Sequence, residues 1–202
     1  SGEKLRTIST DEAPRTEVTA LLHVHMVKLC YHVSVGWHHD VWMWPDRDKA
    51  HPRRLGGHSD DILCVAYVPP NLLVSGAYDG TLIVHNIESG AVSRRVAPRR
   101  PHEGGGDPSF SSISSSRRLS HEDPFLYSCA IEAISVLDPE RRLLPDCSLV
   151  CGSADGFLRI YSSGAMRLLE EVRVCDSFSD GVQHLCTEDS STFVITGDTT
   201  GR

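Results

Sequence analysis

The sequence predicts an all-β protein in which one unit of short antiparallel strands repeats along the chain. Residues 73–85 and 149–161 align with each other without a gap. Each stretch has an apolar β-branched run, an Asp-Gly turn and a run of alternating polarity, which is the pattern of a β-hairpin. No long stretch has the apolar spacing of a helix, so we expect strands alone.

Two further strands complete each unit. Ahead of the hairpin at 73–85, Gly57-His58 precedes an apolar strand at 62–67, and residues 91–96 can form a fourth strand. A degraded copy of the unit runs from Val33 to Trp44 and a partial copy covers residues 194–201. The copies align through a glycine, found at positions 36, 76, 152 and 197.

The repeats divide the chain. Residues 98–124 are rich in Ser, Gly and Arg and have too few apolar side chains to offset the entropy of ordering, so we expect a flexible insertion. The expected organisation is an outer strand and connector at 1–16, two units at 17–97, the insertion at 98–124, one unit at 125–180 and the truncated start of another at 181–202.

The order of short motifs resembles one family. Gly57-His58, Ser75-Gly76 and Asp79-Gly80 follow one another at the spacing of the WD-repeat β-propellers, whose period is about 40–45 residues. His85-Asn86 stands where that family has Trp-Asp. The resemblance implies an incomplete WD-repeat β-propeller of about three to four blades, each with four antiparallel strands.

The resemblance also implies a structural hydrogen-bond network inside each blade. In the clearest unit this network would join His58, Ser75 and Asp79, with His85 at the tryptophan position. Buried polar groups must be satisfied together, and a connected network then fixes the strand register.

The other two units depart from the motif. After the insertion, Cys151 replaces the serine, which leaves His121 and Asp155 as the pair that the resemblance implies. In the degraded unit, Trp44 keeps the tryptophan position and His38 replaces the turn aspartate. Residues 35–46 also resemble a blade of the large relatives called WD repeat-containing protein on Y chromosome.

Composition argues against several classes of partner. The formal charge of −7, from 27 acidic and 20 basic residues, opposes general nucleic-acid binding. The most apolar stretch, 20–29, contains two histidines and a lysine and is too short to span a bilayer. Seven widely spaced cysteines and the absence of a signal-like start favour reduced thiols in the cytoplasm.

No pattern of catalytic or cofactor-binding residues is found. The sequence has no nucleophile elbow and no phosphate-binding glycine loop, and its Asp-Gly pairs lack the ligands of a calcium loop. A group of histidines lacks the further ligands of a zinc site, namely His23, His25, His38 and His39. We therefore expect neither an enzyme nor a bound metal or cofactor.

Two turn aromatics and one serine are candidates for interaction and regulation. Trp37 and Tyr78 fall in hairpin turns, where an exposed ring can anchor a partner. Ser120 follows Arg117-Arg118 and is a candidate for phosphorylation by basic-directed kinases. The expected function is a non-catalytic scaffold that binds other proteins. The alternative is a truncated fragment of a larger propeller with no activity of its own.

Overall fold

The computed structural model describes residues 16–26, 29–47, 51–98, 129–137, 147–175, 180–187 and 194–201. These residues form four antiparallel sheets. The first contains β1 (Val18–His25), β2 (Cys30–Gly36), β3 (His38–Pro45) and β4 (Arg53–Leu55). The second contains β5 (Ile62–Val68), β6 (Leu72–Ala77), β7 (Leu82–Asn86) and β8 (Val92–Val96). The third contains β9 (Ile131–Val136), β10 (Cys147–Ser153), β11 (Phe157–Ser162) and β12 (Leu168–Arg173), and the fourth β13 (Val182–Thr187) and β14 (Val194–Asp198).

Each sheet is a meander whose first strand meets the neighbouring sheets. The strands lie side by side in chain order, and β1 packs on β5, β5 on β9 and β9 on β13. The first strands therefore lie innermost, and the sheets follow one another as blades. The expected all-β class is confirmed, and the described residues contain no helix that could cross a membrane.

Burial changes from the inner to the outer strand of a blade. In β5 buried and half-buried residues alternate, as expected for a strand with one covered face. β6 and β7 are buried almost throughout, because neighbouring blades cover both of their faces. β8 is exposed along nearly its whole length. The two middle strands of this blade are thus its most buried part.

Apolar cores lie between successive sheets. The core between the first and second sheets joins Val33 and Met43 to Ile62 and Leu73. The next core joins residues of the second and third sheets, among them Val74, Leu82, Ile131, Leu149 and Tyr161. A third core joins Val150 and Leu158 to Val182 of the fourth sheet. Each sheet is therefore held in place by its neighbours along the chain.

Two repeat glycines mark the closest approach of one sheet to the next. A Cβ atom on Gly76 would lie 2.6 Å from Cγ2 of Ile131, and one on Gly152 would lie 2.6 Å from Cγ1 of Val182. Both distances are far below van der Waals contact. Glycine is needed here because the inner strand of the following sheet presses against the second strand.

Several sequence-based predictions lie outside the described residues. These are the strand expected within residues 1–15, most of the insertion at 98–124, and the residues Ser120 and His121.

Candidate protein-interaction site

One backbone hydrogen bond recurs in all four described sheets. The residue after the second strand donates its N–H to the carbonyl of the residue just before the first strand. The four bonds join Trp37 to Glu17 (3.0 Å), Tyr78 to Asp61 (2.9 Å), Ala154 to Ala130 (2.9 Å) and Thr199 to Gly181 (3.2 Å). The four turn residues are therefore structurally equivalent, and all of them lie at the same end of their sheets.

This equivalence corrects the alignment of the first unit. Because Trp37 corresponds to Tyr78, Gly36 corresponds to Ala77 and not to Gly76. Gly36 has its own steric reason, since a Cβ atom there would lie 1.9 Å from the carbonyl oxygen of Glu17. Gly36 therefore lies one residue closer to Trp44 than Gly76 lies to His85, and the tryptophan position aligns this unit correctly.

Two of the four equivalent positions carry exposed aromatic rings. Trp37 is 53% exposed and Tyr78 is 37% exposed. Both line one cavity of about 520 Å³, which we call the turn-face pocket, together with Asp61, Leu63, Glu132, Gln183 and His184. The structure thus brings together the two aromatics that the sequence singled out separately. It adds the carboxylates of Asp61 and Glu132, which the sequence analysis missed because they come from the inner-strand segments of two different sheets.

The environment of the pocket disfavours the charged form of Glu132. Partial burial raises the pKa of its carboxyl group, and the nearby His184 acts in the opposite direction. His184 is exposed on β13. The described lining residues include two carboxylates, one histidine and no lysine or arginine.

A larger cavity of about 700 Å³ lies at the opposite end of the second sheet, around the turn at 69–71. Its wall includes Tyr31 and Tyr67, whose hydroxyl donates to the carbonyl of Pro70 at 2.7 Å. Arg53 crosses this wall and donates to the carbonyl of Ile87 at 2.8 Å. Arg53 and Tyr67 are thus bonded within the chain, and this cavity serves as a reference for the turn-face pocket.

The polar residues of the second sheet are only partly joined. His58 Nε2 and Ser75 Oγ lie 2.7 Å apart and are both buried. Asp79 instead accepts from Ser59 Oγ at 3.0 Å and from the Thr81 N–H at 2.9 Å.

His85 does not extend the pair either. It makes a 3.1 Å hydrogen bond between its Nε2 and the carbonyl of Gly56. Nδ1 of His58 and Nδ1 of His85 have no hydrogen-bond partner among the described residues. The four residues therefore do not form the single network that the resemblance implied. His58 and Ser75 pair with each other, while Asp79 and His85 bond other groups.

Burial controls the protonation of these imidazoles. It lowers the pKa of His58 to about 4, and the negative charge of Asp79 offsets this only in part. Burial also lowers the pKa of His85, against the hydrogen bond to Gly56. Both rings are therefore neutral near pH 7.

The first sheet has the tryptophan–serine contact that the second lacks. Trp44 Nε1 donates to Ser34 Oγ at 3.0 Å. Ser34 lies ten residues before Trp44, as Ser75 lies ten residues before His85. Sequence analysis missed Ser34, although counting back from the tryptophan, and not from the glycine, would have found it.

In the third sheet Asp155 pairs with an arginine. Arg159 is 2% exposed, and its Nη2 lies 2.5 Å from Asp155 Oδ2. Its Nε donates to Glu171 Oε1 at 2.6 Å, and Nη1 bonds Ser153 Oγ. Burial disfavours the charged guanidinium, but the two carboxylates outweigh it and raise the pKa of Arg159. Arg159 was missed, and the available signal was a charged residue at the strand position where the aligned repeat has Ile83.

Four of the described cysteines are small core residues. Cys64, Cys129, Cys151 and Cys175 are buried, while Cys30 is half-buried and Cys186 exposed. Burial raises the pKa of Cys64 and Cys151 well above the usual value, so neither is a reactive thiolate. Within the described ranges, no group of three or more potential ligands could hold a metal ion.

Comparison with known proteins agrees with this geometry. Residues 50–86 match the family described as WD domain, G-beta repeat. The match covers β4 to β7 and includes His58, Ser75, Asp79 and His85.

Three solved structures of similar fold overlap with most of this chain. The chain resembles the WD40 β-propeller domain of Doa1 with a TM-score of 0.65 and 16% identity, over 94% of this chain and 50% of that one. It resembles the computationally designed Ika4 protein with a TM-score of 0.64 and 21% identity, over 100% and 96%. For the designed Ika8 protein the values are 0.61 and 22%, over 94% and 45%.

At these identities the likeness shows the fold alone. The chain spans about half the length of the Doa1 propeller domain and of Ika8. Residues 50–86 match the WD-repeat family, and the described sheets have the fold of the blades of a WD40 β-propeller.

Proposed function

We propose that this chain is a non-catalytic scaffold that binds a partner protein through the turn-face pocket. WD repeats generally mediate protein–protein interaction. The observation that carries the proposal is the pairing of Trp37 and Tyr78, which are exposed, structurally equivalent and present in one cavity.

Both rings start from fixed backbone positions. The N–H of each aromatic residue is bonded to the segment that leads into the inner strand of its own sheet. An aromatic side chain on such a turn loses little conformational entropy on binding, and aromatic anchors supply much of the energy of protein interfaces. Rigid sheets behind the turns would hold the two anchors at a constant separation.

We also propose a class of partner and a cellular location for this chain. The charge of −7 favours proteins over nucleic acids as partners, and we do not expect membrane binding. The buried thiols of Cys64 and Cys151, which form no disulfide, support a reducing, cytoplasmic location. Phosphorylation of Ser120 and the closer resemblance of residues 35–46 to WD repeat-containing protein on Y chromosome stay predictions.

A photo-crosslinking experiment tests the proposal. A benzophenone side chain placed at Gln183, an exposed residue of the pocket lining, should crosslink a discrete partner from a cell extract, and Tyr78→Ala should abolish that crosslink. The control places the same group at Val92, which is exposed on the outer strand β8. The same partner captured at both positions, or capture that survives Tyr78→Ala, would contradict the proposal.

The alternative is a fragment without activity of its own, and two exposed side chains favour it. Leu21 of the first sheet is 75% exposed and Ile195 of the fourth is 63% exposed. Apolar side chains on outward sheet faces promote aggregation. Light scattering and a urea melt of the chain distinguish the scaffold from the inactive fragment. A monodisperse species with a cooperative unfolding transition would show that the chain folds alone.

A further inference from the structure

We propose that the turn-face pocket recognises a basic side chain of the partner, with arginine the best fit. This inference rests on the proposed function, because it names the chemistry that the same pocket would select. It is carried by the exposed aromatic rings of Trp37 and Tyr78 beside the carboxylates of Asp61 and Glu132.

The aromatic wall attracts cations. The face of a tryptophan or tyrosine ring carries negative electrostatic potential, which draws a guanidinium or ammonium group placed over it. Arginine does this most often, because its planar group also stacks on the ring. Ala154 and Thr199, at the equivalent turns of the third and fourth sheets, offer no ring, so the aromatic wall lies on one side of the pocket only.

The carboxylates of Asp61 and Glu132 belong to the inner-strand segments of neighbouring sheets. Asp61 comes directly before β5, and Glu132 is the second residue of β9, which packs on β5. The described lining residues contain no lysine or arginine that would neutralise them. A basic side chain that enters over the rings would therefore meet acceptors for its N–H groups, and a guanidinium can bond carboxylates through two N–H groups at once.

An apolar anchor would fit this pocket poorly. It would displace water from Asp61 and Glu132 without giving them new hydrogen bonds, and desolvating a charged group without a partner is costly. An acidic anchor would be repelled by both carboxylates. The cavity of about 520 Å³ also has room for the long arginine side chain.

The cavity at the opposite end of the sheets provides an internal comparison. Its lining contains one acidic residue, Glu88, beside the basic Arg53. The charge that would attract a cation is thus balanced there. A substitution at Glu88 is a matched control for one at Glu132, since each removes one carboxylate from the lining of a cavity.

Defined peptides test the inference. Fluorescein-labelled Gly/Ser peptides with one central arginine, citrulline, lysine or glutamate are titrated with the full chain at pH 7.5, and polarisation is measured. Citrulline has the shape of arginine without its charge. We expect the arginine peptide to bind about tenfold more tightly than the citrulline peptide. We expect the lysine peptide to lie between them and the glutamate peptide not to bind.

Variants assign the effect to the pocket. Trp37→Ala should abolish binding of the arginine peptide, and Trp37→Phe should retain part of it. Glu132→Gln should weaken binding about threefold or more, while Glu88→Gln should leave it unchanged. Circular dichroism confirms that each variant is folded.

Two results would overturn the inference. One is equal binding of the arginine and citrulline peptides, and the other is equal effects of Glu132→Gln and Glu88→Gln. Either could occur while the benzophenone group in the turn-face pocket still crosslinks a protein partner, in which case the proposed function stands without cation recognition. Loss of the crosslink together with retained arginine selectivity would instead contradict the proposed function alone.

Discussion

Buried imidazoles couple the stability of this chain to pH. Burial lowers the pKa of His58 to about 4 in the folded protein, against 6.5 for an ordinary histidine. Between about pH 6.5 and pH 4, His58 is protonated in the unfolded chain but stays neutral in the folded chain. The free energy of unfolding should therefore fall as the pH drops from about 6.5 to 4, by about 3 kcal/mol from this residue.

Urea melts across that range measure the effect. His58→Gln should give a shallower loss of stability with falling pH than the unmodified chain, because glutamine does not titrate. His85 acts in the same direction, so part of the slope should remain. A slope that His58→Gln leaves unchanged would contradict the assignment.

The buried arginine of the third sheet should be important for stability. Arg159→Leu removes the partner of Asp155 and leaves a buried charge unpaired. Such a loss costs about 3–5 kcal/mol. The double variant Asp155→Ala with Arg159→Leu should recover part of this loss, since no buried charge is stranded at Asp155. The exposed Arg94→Leu is the control and should change the urea midpoint little. Equal midpoints for Arg159→Leu and Arg94→Leu would show that the ion pair does not hold the sheet.

Residue types predict a polar group but not its partner. The sequence indicated His58 and Ser75, and the structure places their side-chain atoms 2.7 Å apart. It also indicated Asp79, but the carboxylate bonds Ser59 and Thr81, which are nearer along the chain or in space. A short acidic side chain readily accepts a hydrogen bond from a nearby backbone N–H. The sequence pattern does not show which donor the carboxylate will bond.

Local sequence patterns predict the hairpins within a sheet, whereas contacts between residues far apart in the chain determine how the sheets pack. The Asp-Gly turns are readable because Gly80 and Gly156 both have φ of +78°, which glycine adopts readily. The role of Gly76 is not readable in this way. Its neighbour Ile131 lies on the next sheet, beyond the insertion, and no local rule predicts that approach.

The close approach of the second and third sheets at Gly76 predicts that a larger side chain there lowers stability. Gly76→Ala should destabilise the chain by about 1–3 kcal/mol, because the new methyl group overlaps the side chain of Ile131. Gly164→Ala is the matched control, since no atom lies within 4 Å of a Cβ atom there. Urea midpoints measure both. If Gly76→Ala were as stable as Gly164→Ala, the sheets would not be pressed together at this point.

In the whole molecule, stability should decrease from the middle sheets toward the fourth. Strand β6 is paired on both sides and buried on both faces, whereas the described fourth sheet has two strands with several exposed residues. Amides of β6 should therefore exchange with solvent only through global unfolding, and those of β14 through local opening. Hydrogen exchange followed by mass spectrometry measures this order.

Gly152→Ala should speed exchange in β13 and β14 more than in β6, because its methyl group would push Val182 away. Uniform protection of β6 and β14 would mean that the sheets unfold as one unit and not as neighbours that support one another in turn.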